Sequence, residues 1–462
     1  MQQQQKNAFL GTEPVPRLLF RLAVPTVLAQ VINMLYNIVD RVYIGHMADV
    51  GQLALTGVGV CLPIIMIISA FAALIGGGAP RASIAMGKGD YQGAEKILGG
   101  CVVLYVLTAV VLTGLVEAFA RPVLLAFGAS ENTIGYAVSY MQVYATGTLF
   151  VQLTLGMNQF ITGQGFSRVG MYTVLVGAAL NIALDPLFIF ALHMGVQGAA
   201  LATVISQCAS CVFAMVFLAS PKSVIRIRRE NLRLDFSILG PCLALGAAPF
   251  IMQASESFIS VCFNSSLLKY GGDVAVGAMT ICTSVMQFAM LPIQGVAQGA
   301  QPITSYNFGA RNKQRVKDSF RLLLIVNVIF TIVVWALVML FPSLFAGIFT
   351  TDAELLSFTA RALRIYCAVL CIFGVQISCQ MTFMSIGYAP EAIICACMRK
   401  FVLLLPLIYL MPHVMKDLTF SVYWAEPAAD ILAVTFTGIL FALRFRKAMR
   451  SMDMEKEMKT HA

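Results

Sequence analysis

Twelve apolar runs of about 20 residues or more alternate with short polar and glycine-rich segments along the chain, each long enough to cross roughly 30 Å of hydrocarbon as a helix. They lie near residues 18–45, 53–78, 95–118, 135–160, 170–193, 198–219, 241–267, 275–299, 319–345, 360–385, 392–414 and 422–443. The pattern predicts an all-α polytopic membrane protein with twelve transmembrane helices.

The polar and glycine positions repeat. Tyr144, Asn158 and Gly165 return as Tyr366, Gln380 and Gly387, and Pro80, Ser83 and Gly87 as Pro302, Ser305 and Gly309, all six pairs at one constant offset. Pro25 and Asp40 match Pro249 and Asn264 at an offset two positions longer, as do Asp49 and Asp273, so a two-residue slip falls before Pro80. The expected organisation is a first lobe over 1–219 (helices 1 to 6), a basic cytoplasmic linker over 220–240, a second lobe over 241–445 (helices 7 to 12) and a cytoplasmic tail over 446–462. Six spans per half give both repeats the same orientation, as parallel repeats about an axis along the membrane normal. Function is then expected between the two pseudo-symmetric lobes.

Composition agrees: 59% hydrophobic residues, 11% charged residues and a mean hydropathy of +0.83 exclude a soluble domain. With the N terminus cytoplasmic, about 25 of the 31 Lys and Arg residues fall on the inside, a strong positive-inside bias. Both termini are then cytoplasmic and the cell membrane is the expected location. The net charge of +9 follows from this topology and does not point to nucleic acid. Residues 1–16 are polar and show no cleavable signal, so the first span is expected to be its own targeting signal. The 12 Cys have no metal-type spacing, and neither a metal cluster nor another cofactor is expected. Arg399 and Lys400, inside the eleventh run, are expected to snorkel towards water.

The chemistry is concentrated in a few intramembrane polar residues. Gln30, Asn33, Asn37 and Asp40 follow a three, four, three spacing that places them on one face of span one. Span five carries Asn181 and Asp185 one turn apart, followed by Pro186. At ~1.5 Å per residue, Asp40 lies about 28 Å from the inner edge and Asp185 about 25 Å, while Thr203 lies about 13 Å below the outer edge. Two carboxylates, an amide and a hydroxyl at similar depth suit a hard cation or a proton, because ionised acids in hydrocarbon are costly. The alternative is structural: Asn181 and Asp185 cap broken backbone while Asp40 pairs with a buried partner.

The second half departs from this pattern. Asn264 stands where Asp40 would, and Leu405-Pro406 where Asp185-Pro186 would, so the acidic pair is expected only in the first lobe. Span seven instead aligns Gln253, Glu256, Ser260 and Asn264, span eight Gln287, Gln294 and Gln298, and span ten Gln376 and Gln380. Together with Asn33 and Asn37 these are expected to line a substrate cavity. Glu256 can meet a cationic substrate, take up a proton, or pack as a neutral acid. Asp430 and Arg399 are weaker candidates for cavity or gating contacts.

The stretch from Leu35 to His46, the paired loops at Gly87 and Gly309, and Asn181 to Asp185 with Thr203 resemble the multidrug and toxic compound extrusion (MATE) transporters over nearly the whole chain. The resemblance implies a secondary active antiporter. It would export hydrophobic, often cationic, small molecules in exchange for H⁺ or Na⁺, with Asp40, Asn181, Asp185 and Thr203 as the coupling-cation site. Glu256 matches an acid that some members use on span seven. Span ten has no acid between Tyr366 and Gly387, which leaves a second-lobe cation site without its usual partner. The lipid bilayer and small molecules are the expected partners, and a monomer the expected state. The competing reading is a lipid or lipid-linked oligosaccharide flippase of related architecture, which would present basic residues to its cavity. An enzyme is disfavoured, since the four His form no paired motif.

Overall fold

The computed structural model describes residues 7–47 and 50–460, with side chains described as far as Asp453; Asp49 lies outside the described residues. The described residues form helices and connecting turns, with no strand among them. Nine of these helices are long and apolar enough to cross a membrane. Further expected spans are interrupted, one of them inside the longest of these nine. Phe236–Gly309 folds back at Gly272, whose φ of 65° and ψ of −162° are open only to glycine, so it supplies two antiparallel segments. Ala353–Tyr366 and Leu370–Ser385 meet at a bend of 50°. Ile134–Thr146 and Thr148–Gly163 are separated by Gly147 alone. The elements thus fall where the sequence places its runs.

The repeat is visible in hydrogen bonds. Ser83 Oγ donates to Gly163 O at 2.6 Å, and Ser305 Oγ to Ser385 O at 2.8 Å, so donor and acceptor both recur at the offset of the repeat. Asp90 caps the third span through the Gly93 N–H at 2.8 Å, and Asn312 caps the ninth through the Arg315 N–H at 3.3 Å.

Apolar packing explains how the lobes meet. At the end that carries both termini, one core cluster runs across both halves, joining Leu22, Ile75 and Cys101 to Cys242, Ile303 and Tyr306. At the other end each half keeps its own cluster, around Ile68 and Met141 in the first and Phe263 and Tyr423 in the second. Direct inter-lobe hydrogen bonds also lie at the shared end: Thr26 Oγ1 to Gly295 O at 2.6 Å, and Gln30 Nε2 to Gln298 Oε1 at 3.1 Å. The lobes are therefore closed at the end bearing the termini and separate at the other.

One expectation fails. Arg399 and Lys400 do not snorkel; both are buried. Span eleven contains a wide π turn, Met398–Leu404, between Ala389–Cys397 and Leu405–Val414. Because this turn departs from the helical period, neighbouring basic residues both point into the second lobe, where acids from spans seven and twelve receive them.

Candidate functional site

Asp40, Asn181 and Asp185 are buried in the first lobe, and Thr203 is half-buried. The Asn181 amide donates to Asp185 Oδ1 and to Thr203 Oγ1, both at 3.4 Å. Thr203 Oγ1 donates in turn to Ala199 O at 3.1 Å. Asp40 Oδ1, Asn181 Oδ1 and Asp185 Oδ2 are buried acceptors without a hydrogen-bond partner. Among the described residues, neither carboxylate forms an ion pair. Three unsatisfied oxygens close together are costly in a low-dielectric interior, and a bound proton or hard cation would satisfy them. The π turn Leu187–Ala191 directly after Pro186 loosens the local backbone.

A cavity of about 180 Å³, walled mainly by the first lobe and also by Gln298 of the second, leads to this group. Gln30, Asn33, Tyr36, Asn158, Asn181 and Thr203 contribute to its wall, so it reaches two of the four residues while the carboxylates sit behind Asn181. Tyr36, Gln207 and Ser210 also line it and were not singled out from sequence. A signal was available: Gln207 and Ser210 follow Thr203 at helical spacings of four and three on span six, and Tyr36 adjoins Asn37.

The open groove between the lobes has a polar wall on span seven. Gln253, Glu256 and Ser260 are exposed along one face, whereas Phe258 and Val261 are exposed away from it. Asn33, Asn37 and Gln287 are exposed as well, and Asn264 is half-buried. Gln376 and Gln380 correct the expectation: both are buried inside the second lobe, and the Gln380 amide donates to Met252 Sδ at 3.0 Å. They stand at the positions of Thr154 and Asn158, which line the first-lobe cavity, and both polar atoms of the Gln376 amide are buried without a hydrogen-bond partner.

The second lobe holds buried acids of its own. Arg399 donates from Nε to Asp430 Oδ1 and from Nη2 to Glu426 Oε1, both at 2.8 Å, with its guanidinium 4.6 Å from the Phe373 ring centroid. Lys400 Nζ donates to Glu256 Oε2 at 2.6 Å. The asymmetry is therefore one of counter-charge: Glu256, Glu426 and Asp430 of the second lobe are paired with bases, whereas Asp40 and Asp185 of the first are not. Glu426 and Asp430, four residues apart in an apolar run, were the available signal for this network.

The family model MatE matches residues 25–187 and 249–410, one match in each half and together well over half of the chain. The chain belongs to the MatE family. It is a multi-span membrane transporter and not an enzyme. It is 25% identical over 453 residues to the multidrug export protein MepA of Staphylococcus aureus (strain NCTC 8325 / PS 47), covering 96% of this chain and 98% of that protein. It is 23% identical over 431 residues to the MepA of Staphylococcus haemolyticus (strain JCSC1435), covering 93% and 94%. Its fold is similar to that of a MATE crystal structure in the bent conformation, with a TM-score of 0.90 at 22% identity over 98% of this chain and 99% of that one. It is also similar to the outward-facing conformation of a multidrug resistance MATE family transporter of the MOP superfamily, with a TM-score of 0.89 at 23% identity over 96% and 98%.

Proposed function

We propose that this MatE transporter exports hydrophobic, often cationic, small molecules from the cytoplasm in exchange for inward H⁺ or Na⁺, by alternating access of its two lobes. The observation that carries this reading is the set of partnerless buried oxygens on Asp40, Asn181 and Asp185 at the end of a polar cavity. Thr203, bonded to Asn181, completes the coupling-cation site. The substrate occupies the groove walled by Asn33, Asn37, Gln253, Glu256, Asn264 and Gln287.

With both termini cytoplasmic in the cell membrane, the closed end faces the cytoplasm and the structure is the outward-facing state. Entry of the coupling cation from outside satisfies the first-lobe acids, and exported molecule and cation then bind antagonistically. Such antagonism couples the two fluxes only through a difference in affinity between the two states. The membrane potential contributes about 2.3 kcal/mol per entering charge per 100 mV. A single chain contains both lobes and the groove between them, which supports a monomer as the working unit.

The test is export from vesicles containing the purified protein, with H⁺ and Na⁺ gradients imposed separately. Export driven by one gradient identifies the coupling ion. Equal flux with and without any gradient contradicts antiport.

A further inference from the structure

The second lobe holds a charge arrangement that the coupling site does not explain. Lys400 is a buried ammonium with a side chain only 6% exposed, yet its partner Glu256 is 51% exposed and stands on the polar wall of the groove. Arg399 is engaged by Glu426 and Asp430, which together carry one more negative charge than it neutralises. Among the described residues Lys400 forms its direct ion pair with Glu256, and that carboxylate faces the place where substrate must pass.

We propose that Lys400 is a tethered cation and proton carrier: a lipophilic organic cation binds Glu256 by taking the place of Lys400, which then releases its proton. This rests on the proposed export of cations. The exchange balances. The ion pair of protonated Lys400 with ionised Glu256 plus one organic cation gives neutral Lys400, the ion pair of Glu256 with the organic cation, and one H⁺ to solvent. No charge accumulates in the lobe.

Burial makes the proton the part that leaves. A buried ammonium that has lost its counter-charge is far costlier than the neutral amine. Glu426 and Asp430 on span twelve hydrogen-bond Arg399 and not Lys400, so displacement from Glu256 removes the carboxylate that Lys400 directly pairs with. A neutral substrate has no claim on Glu256 and leaves the pair intact. The pair thus discriminates among substrates by charge.

The test uses the full-length purified protein in weakly buffered solution, with tetraphenylphosphonium as the cation and triphenylphosphine oxide as the neutral probe. Wild type should release about one proton per bound tetraphenylphosphonium and none on binding the oxide. Lys400→Met should bind tetraphenylphosphonium about tenfold or more tighter, without proton release, and bind the oxide within about twofold of wild type. The Asp40→Asn/Asp185→Asn variant, which removes the first-lobe acids, should still release the proton. That arm separates this inference from the coupling role of the first lobe, and Lys400→Gln takes the place of Lys400→Met if the latter does not fold. No release in Asp40→Asn/Asp185→Asn overturns it. Equal release in wild type and Lys400→Met, or no binding of tetraphenylphosphonium to wild type, also overturns it.

Discussion

Gly87 and Gly309, equivalent positions of the internal repeat, pack each against the other's helix turn where the lobes close. A β-carbon on Gly87 would overlap the carbonyl oxygen of Tyr306, and one on Gly309 would overlap that of Ile84, which is the repeat equivalent of Tyr306. The contact maps onto itself under the internal repeat, so the pseudo-two-fold axis passes between these glycines. The atoms met are backbone, which no rotamer change can move aside.

Alanine at either glycine should therefore hold the closed end apart. Gly87→Ala and Gly309→Ala are each expected to lower export about tenfold or more, equivalent to about 1.4 kcal/mol against the closed state. Hydrogen exchange in residues 78–87 and 302–309 should accelerate in both variants, with protein abundance in the membrane unchanged. Wild-type exchange in both segments would show that the closed state tolerates the added methyl.

Asp40→Asn and Asp185→Asn keep the volume of each side chain and remove its charge. Each is expected to abolish gradient-driven export while leaving membrane insertion and the melting temperature close to wild type, because the acids lack a base that would be stranded. Normal gradient-driven export by Asp40→Asn would remove that residue from the coupling step.

The residues that sequence placed well are those whose neighbours lie on the same helix or at the repeat offset. Asn181 and Asp185 are one turn apart, and their hydrogen bond follows from helical geometry alone. The landmarks at Ser83 and Ser305 carried their bonding partners with them, at Gly163 and Ser385. The pairing of Lys400 with Glu256 was not legible, because it spans 144 residues and depends on a π turn that breaks the period used to assign helix faces. Gln376 and Gln380 were assigned to the cavity by their polarity, but whether an amide faces a void or is buried depends on packing between helices, which a polar pattern ignores.

The N-terminal segment is held against the second lobe by Arg315. Its Nη2 donates to Leu10 O at 3.0 Å and to Glu13 O at 2.7 Å, its Nε donates to Asn307 Oδ1 at 3.1 Å, and the Asn307 amide donates to Leu10 O at 2.8 Å. Asn7 joins the same segment to the first lobe, accepting from Tyr91 Oη at 3.1 Å. The segment thus bridges the two lobes where they close. Arg315→Ala should weaken that closure by about 1.5–3 kcal/mol, the usual worth of hydrogen bonds to a charged group. Lysine should rescue only part of it, since its ammonium lacks the planar fork. Hydrogen exchange across residues 7–14 measures the effect, and unchanged protection in Arg315→Ala would mean the segment is held by its apolar contacts alone.

Arg399 allows stability to be separated from transport. It satisfies Glu426 and Asp430 together, and all three side chains are buried. Removing only the base leaves two acids without a counter-charge, whereas removing all three charges leaves a neutral core of nearly the same volume. Arg399→Met is therefore expected to destabilise the protein by about 3–5 kcal/mol, and Arg399→Met/Glu426→Gln/Asp430→Asn to recover most of that loss. Thermal unfolding in lipid nanodiscs measures both. If the triple variant recovers stability and keeps gradient-driven export, this network is structural and the transported charge is handled at Asp40, Asp185 and Glu256. If it recovers stability but loses export, the Arg399 network takes part in the conformational cycle, because its contribution then differs between the closed and open states.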